Sequence, residues 1–132
     1  MKTFMIAALS CCMLCVTANF SKAQTSPEIQ LEANVHDFGE VAQNSKTEAK
    51  IKVRNTGSAP LVITNAKGSC SCTVADYPKK PILPGTSGFV TVRYNSSRVG
   101  PINKTVTLHS NDPNNPVKVI RIKGIVRAQK QG

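Results

Sequence analysis

A chain of 132 residues with 40% hydrophobic and 5% aromatic content has room for one domain with its own core and not for two. Lysine and arginine number 17 against 7 aspartates and glutamates, a formal charge of +10; the basic residues are spread along the sequence without interleaved aromatics, which excludes a single-strand nucleic-acid binder. The carboxylates are too few and scattered for a paired acid–base mechanism.

The first element is a leader. Met1-Lys2-Thr3 is a charged start, Phe4 to Val16 a largely apolar run, and Ser21-Lys22-Ala23 a small-x-small cleavage signal. Cleavage is expected after Ala23, leaving one domain over residues 24–132. The apolar run is shorter than the about 20 residues that cross a bilayer, so no membrane span is expected in the mature chain. Cys11, Cys12 and Cys15 belong to the leader; none combines a preceding small residue with the full apolar run that lipid attachment needs. The protein is therefore expected to be exported, to the periplasm or cell surface of a bacterium.

Beyond the leader the apolar pattern has period two, the mark of strands that are buried on one face. A short strand is predicted over Ile29–His36. Over Thr47–Asn55, Ala49, Ile51 and Val53 share the inner face, with Glu48, Lys50, Lys52 and Arg54 outside. Leu61–Ala66 is a further short strand. Gly88–Asn95 puts Val90, Val92 and Tyr94 inward; Lys104–Ser110 offers Val106 and Leu108, and Val117–Val126 offers Ile120, Ile122 and Val126. Turn signals stand between the runs at Asn55-Thr56-Gly57-Ser58, Leu83-Pro84-Gly85-Thr86, Val99-Gly100-Pro101 and Ser110-Asn111-Asp112-Pro113. Gly39 and Gly57 are expected to take positive φ where strands turn. Short strands at this spacing predict an all-β, immunoglobulin-like sandwich of about seven strands, its core over about residues 29–126.

Of the five cysteines, only Cys70 and Cys72 lie beyond the leader, so one disulfide is possible in an exported chain. In a regular strand their Cβ atoms would stand about 6 to 7 Å apart, whereas a disulfide needs about 3.5 to 4.5 Å. Bonding therefore requires a kink between Gly68 and Thr73. So small a loop contributes only about 1.5 kcal/mol of chain entropy. Three readings stay open: a reducible, redox-active pair; two thiolates holding a soft metal, which has too few partners beside His36 and His109; and a purely structural pair. Lys67 nearby favours a thiolate.

Catalysis is not expected elsewhere. His36 and Asp37 are neighbours on a strand and point to opposite faces. His109 and Asp112 flank a turn with no accompanying serine nucleophile.

Four patterns occur in order: His36-Asp37-Phe38-Gly39-Glu40-Val41, Asn55-Thr56-Gly57-Ser58-Ala59-Pro60-Leu61-Val62-Ile63, Cys70-Ser71-Cys72-Thr73 and Pro84-Gly85-Thr86-Ser87-Gly88. Over about residues 29–126 the chain thereby resembles the bacterial domain-of-unknown-function family 1573, and Ser110-Asn111-Asp112-Pro113 is similar to a motif of the wider ASPM, SPD-2 and Hydin domain group. The resemblance implies an immunoglobulin-like fold and export, and no activity. Ser71 replaces the glycine of the common Cys-Gly-Cys form.

The sequence thus predicts a non-catalytic binding or structural module of the cell envelope, without cofactor or resident metal. Its partner would be a protein or an envelope polymer and not a nucleic acid. The alternative is a thiol-redox or soft-metal-handling protein using Cys70 and Cys72.

Overall fold

A computed structural model describes residues 25–129, so the expected leader lies outside the described residues. Eight strands and no helix make up this part: β1 (Ile29–Leu31), β2 (Val35–Ala42), β3 (Lys46–Asn55), β4 (Ile63–Gly68), β5 (Thr73–Asp76), β6 (Ser87–Asn95), β7 (Gly100–Ser110) and β8 (Val117–Arg127). They form two four-stranded sheets, ordered β1-β3-β6-β5 and β2-β8-β7-β4. All pairings are antiparallel except that of β2 with β8.

Alternation places the sheets face to face. Ile51, Val53, Val90 and Val92 of the first sheet pack with Ile102, Val106, Leu108, Ile120 and Ile122 of the second in one continuous core. Fully burying such side chains contributes about 1.5–3 kcal/mol each, enough to select this register, since a one-residue slip would turn every buried valine to solvent.

Three expectations are corrected. The single strand over Ile29–His36 is two strands in different sheets, because the chain bends at residues 32–34 and leaves β3 to run beside β8. With β5 (Thr73–Asp76), which the alternation did not single out, the described residues hold eight strands, in keeping with the expected sandwich of about seven. Val99-Gly100-Pro101 is not the turn before the Val106 strand; that turn lies at residues 96–98, and β7 starts at Gly100. Gly57 has no positive φ. It is required by close approach, since a Cβ there would collide with the backbone of Ser26 and Pro27. Gly39 does take φ 65, at a bulge inside β2 where its N–H donates to Asp37 Oδ1 at 2.7 Å.

Two buried polar side chains clasp one end of the sandwich, around Glu28 and Ile29. Asn55 Nδ2 donates to the carbonyls of Ala59 (2.7 Å) and Ile82 (2.8 Å), while its Oδ1 accepts from Gly57 N (2.9 Å) and Glu28 N (3.3 Å). Asp112 accepts from Ile29 N (2.9 Å), Asn114 N (2.8 Å) and Asn115 N (3.1 Å), tying the β7–β8 loop to β1. Burial alone would raise the Asp112 pKa; the three backbone N–H donors outweigh it and hold the carboxyl below the usual carboxylate range.

Candidate functional site

Cys70-Ser71-Cys72 forms the corner at which the chain passes from β4, an edge of one sheet, to β5, an edge of the other. The segment is kinked. Thr73 N donates to the Cys70 carbonyl at 3.2 Å, closing a turn, and the two Cα atoms lie 5.3 Å apart, well inside the spacing of about 6.6 Å for alternate strand residues. Gly68 allows it, because a Cβ at that position would run into the carbonyl of Thr73. Cys70 and Cys72 are joined by a disulfide.

The corner is anchored to both sheets. Ser69 N donates to Thr105 O (2.8 Å) and Ser69 Oγ accepts from Thr105 N (3.1 Å), which extends the β4–β7 ladder by one residue. On the other side, Asn95 N of β6 donates to the Cys72 carbonyl (2.8 Å). Thr73 Oγ1 lies 3.8 Å from Cys70 Sγ and 3.9 Å from Cys72 Sγ.

Open cavities flank the corner. One, of ≈ 350 Å³, is lined by both cysteines, Tyr94, Asn95, Arg98 and Lys104 among others. The second, of ≈ 440 Å³, is lined by Cys70, Lys67 and Val74 among others. Neither lining contains a carboxylate, and among the described residues Lys67, Arg98 and Lys104 make no salt bridge. Lys104 stands in the inward row of β7 between Ile102 and Val106, both buried, and is itself half-buried. A lysine in such a row keeps its stem on apolar surface and its ammonium in water; the cavity beside the cysteines is where this one reaches solvent.

The outer face of β3 carries a row of cations. Lys46, Lys50, Lys52 and Arg54 all lie exposed on the outer face of β3. Glu48 in the same row is held by Arg93 of β6 at 3.1 Å. Across from Lys52 stands Phe89, 53% exposed. Glu32 and Asp76 lie at the two margins of this face.

The histidines do not join the cysteines. His36 packs edge-on against Phe38, ring centroids 4.6 Å apart, and Asp37 is occupied by Gly39 N and, at 4.0 Å, by Lys123. His109 sits in the β7–β8 ladder opposite Val117, and the Asp112 carboxylate is taken up by the clasp to β1. Among the described residues no three of His, Cys, Asp and Glu gather at one point. Nor is any helix there long and apolar enough to cross a membrane.

The chain matches residues 29–126 to the model of a family described as a protein of unknown function, DUF1573. Among solved structures, a protein of unknown function from Porphyromonas gingivalis W83 is similar at TM-score 0.69 and 22% identity, over 81% of this chain and 51% of that one. The chain therefore spans about half of that protein's length. The ASH/PapD-like domain 7 of human CEP192 is similar at TM-score 0.62 and 8% identity, covering 80% of this chain and 89% of that one. The periplasmic chaperone SfaE follows at TM-score 0.54 and 12% identity, over 78% and 58%. At these identities the likeness is one of fold. No curated protein matches the chain.

Proposed function

The chain belongs to the DUF1573 family, and from that premise, which supplies a fold and no activity, we propose that it is a non-catalytic binding module of the cell envelope whose partner is an anionic envelope polymer. The observation that carries this reading is the outer face of β3, where Lys46, Lys50, Lys52 and Arg54 stand exposed beside Phe89. Alternate residues of a strand are about 6.6 Å apart, so Lys50, Lys52 and Arg54 make a straight row of cations, matched to a linear polymer with repeated negative charges. Phe89 adds an apolar platform for the rings of such a chain.

The sheet edges suit a partner strand less well. β1 has three residues and β5 four, β2 is bulged at Gly39, and the six residues of β4 carry a register shift between Ile63 and Asn65; short and bulged edges resist strand addition. The faces are the larger uninterrupted surfaces.

Titration with dextran sulfate tests the reading, with uncharged dextran and anionic lipid vesicles as the other arms. Binding to dextran sulfate should weaken as salt rises, because the Debye length falls from about 10 Å at 0.1 M to about 3 Å at 1 M. Replacing Lys50, Lys52 and Arg54 together by glutamine should weaken it about tenfold. Equal affinity for both dextrans, tighter binding to the vesicles, or no loss in the triple variant would overturn it.

A second reading is favoured by a separate observation. The cations at the disulfide cavities support thiol chemistry at Cys70 and Cys72. A soft metal would need two further ligands from another molecule.

A further inference from the structure

We propose that the Cys70–Cys72 disulfide is a reducible site selective for anionic low-molecular-weight thiols, those that carry a carboxylate beside the sulfur. The inference is independent of polymer binding and rests on the thiol reading of the pair. Three features carry it together: a disulfide at a solvent-open corner, cavities on both sides of it, and cations with no carboxylate in either lining.

The chemistry is thiol–disulfide exchange. A thiolate RS⁻ attacks one cysteine sulfur; the new S–S bond forms as the Cys70–Cys72 bond breaks, and the electron pair leaves on the second cysteine as thiolate. A second RS⁻ then attacks the R sulfur of the mixed disulfide, releasing RSSR and the remaining cysteine thiolate. Two RSH are oxidised to one RSSR, two electrons reduce the protein disulfide, and the two protons end on Cys70 and Cys72.

Every charged species on this path is an anion: the attacking thiolate, the row of sulfurs in the transition state, and the leaving cysteine. Arg98 and Lys104 line the cavity that both cysteines share, and Lys67 lines the one reached by Cys70 from the other side. Cations at these positions lower the energy of each step. They also concentrate a thiol bearing an additional carboxylate, and they repel one bearing an ammonium. The placement of Lys104 in an inward, otherwise apolar row has no packing benefit over the aliphatic residues on either side of it; at this site it has a use.

The experiment compares reduction of the purified protein by mercaptoacetate and by 2-aminoethanethiol, read as the mass gain and thiol count of the folded protein. Each rate is corrected for thiolate concentration and divided by the rate of the same thiol on bis(2-hydroxyethyl) disulfide. We expect a preference for mercaptoacetate of about fivefold or more at low salt, shrinking towards unity at 1 M salt, where the Debye length is about 3 Å. The double variant Arg98→Gln/Lys104→Gln should lose most of the preference. Lys79→Gln/Lys80→Gln, which removes the same charge beyond the far end of β5, should keep it. Absence of a preference, or its equal loss in both double variants, overturns the selectivity while leaving a reducible pair. A disulfide untouched until the protein unfolds overturns the thiol reading itself. Should the Arg98/Lys104 variant not fold, the salt series on the unaltered protein decides, since a salt-independent ratio contradicts the inference.

Discussion

Asp112→Ala should remove the clasp between the β7–β8 loop and β1. The carboxylate is 1% exposed and accepts three backbone N–H groups. Those of Asn114 and Asn115 can turn to water, because their loop is at the surface. The Ile29 N–H cannot, since Ile29 is 4% exposed and in the core. One orphaned buried donor costs about 1–3 kcal/mol, and hydrogen bonds to a charged acceptor contribute about 1.5–3 kcal/mol, so a loss of about 3 kcal/mol is expected. Against a typical domain stability of about 5–15 kcal/mol this is a large fraction. Urea denaturation at pH 7 measures it. The pH dependence supplies a second check with a defined sign. The folded pKa of Asp112 is lowered, so its stabilisation is fully present above the unfolded value of about 3.9 and is lost as pH falls through the folded pKa. The difference between wild type and Asp112→Ala should be constant from pH 7 to about 5 and shrink below about 4. A difference under about 0.5 kcal/mol at pH 7, within the range of an ordinary surface substitution, or one that grows on acidification, would show that Asp112 does not clasp the loop to β1.

Asn55→Ala should destabilise by about 3–4 kcal/mol, because it leaves the Gly57 and Glu28 N–H groups and the Ala59 carbonyl without their partner while Ile82 O keeps Leu61 N; an unchanged urea midpoint would contradict this. Replacing Cys70 and Cys72 together by serine should cost no more than about 1.5 kcal/mol, since the loop is so small. The backbone bonds of Ser69, Thr73 and Asn95 would continue to hold the corner. Thermal unfolding reads it, and a variant that fails to fold would show that the bridge, not those bonds, holds the corner.

The layer order was legible where one face is apolar and the other charged. Lys50-Ile51-Lys52-Val53-Arg54 leaves no choice of face, and Ile51 and Val53 are in the core. Legibility failed where backbone geometry decides. Ile29–His36 reads as one alternating strand, yet the switch between sheets at residues 32–34 depends on which ladder each half can join, and this is a long-range fact. Gly57 reads as a positive-φ turn residue; its actual role, leaving room for the N-terminal segment that passes against it, is invisible locally. The role of Asn55 follows the same logic, since its partners Glu28 and Ile82 are distant in sequence.

The candidate site was half legible. The two cysteines stood out as the pair beyond the expected leader, and strand spacing gave the condition that a bridge between them needs a kink between Gly68 and Thr73. Arg98 and Lys104 were not found, although one signal was present: a lysine in the row of Ile102, Val106 and Leu108, where alternation demands an apolar residue. The cation row on β3 was visible as an outer face, whereas its continuity with Phe89 required the β3–β6 register.

Amide chemical-shift mapping during titration with dextran sulfate tests the binding surface most directly. The largest shifts are expected on Lys50, Lys52 and Arg54 of β3 and on Phe89 and Thr91 of β6, with β7 and β8 nearly unmoved. Shifts concentrated on β2 and β8, or spread evenly over all exposed lysines and arginines, would contradict it.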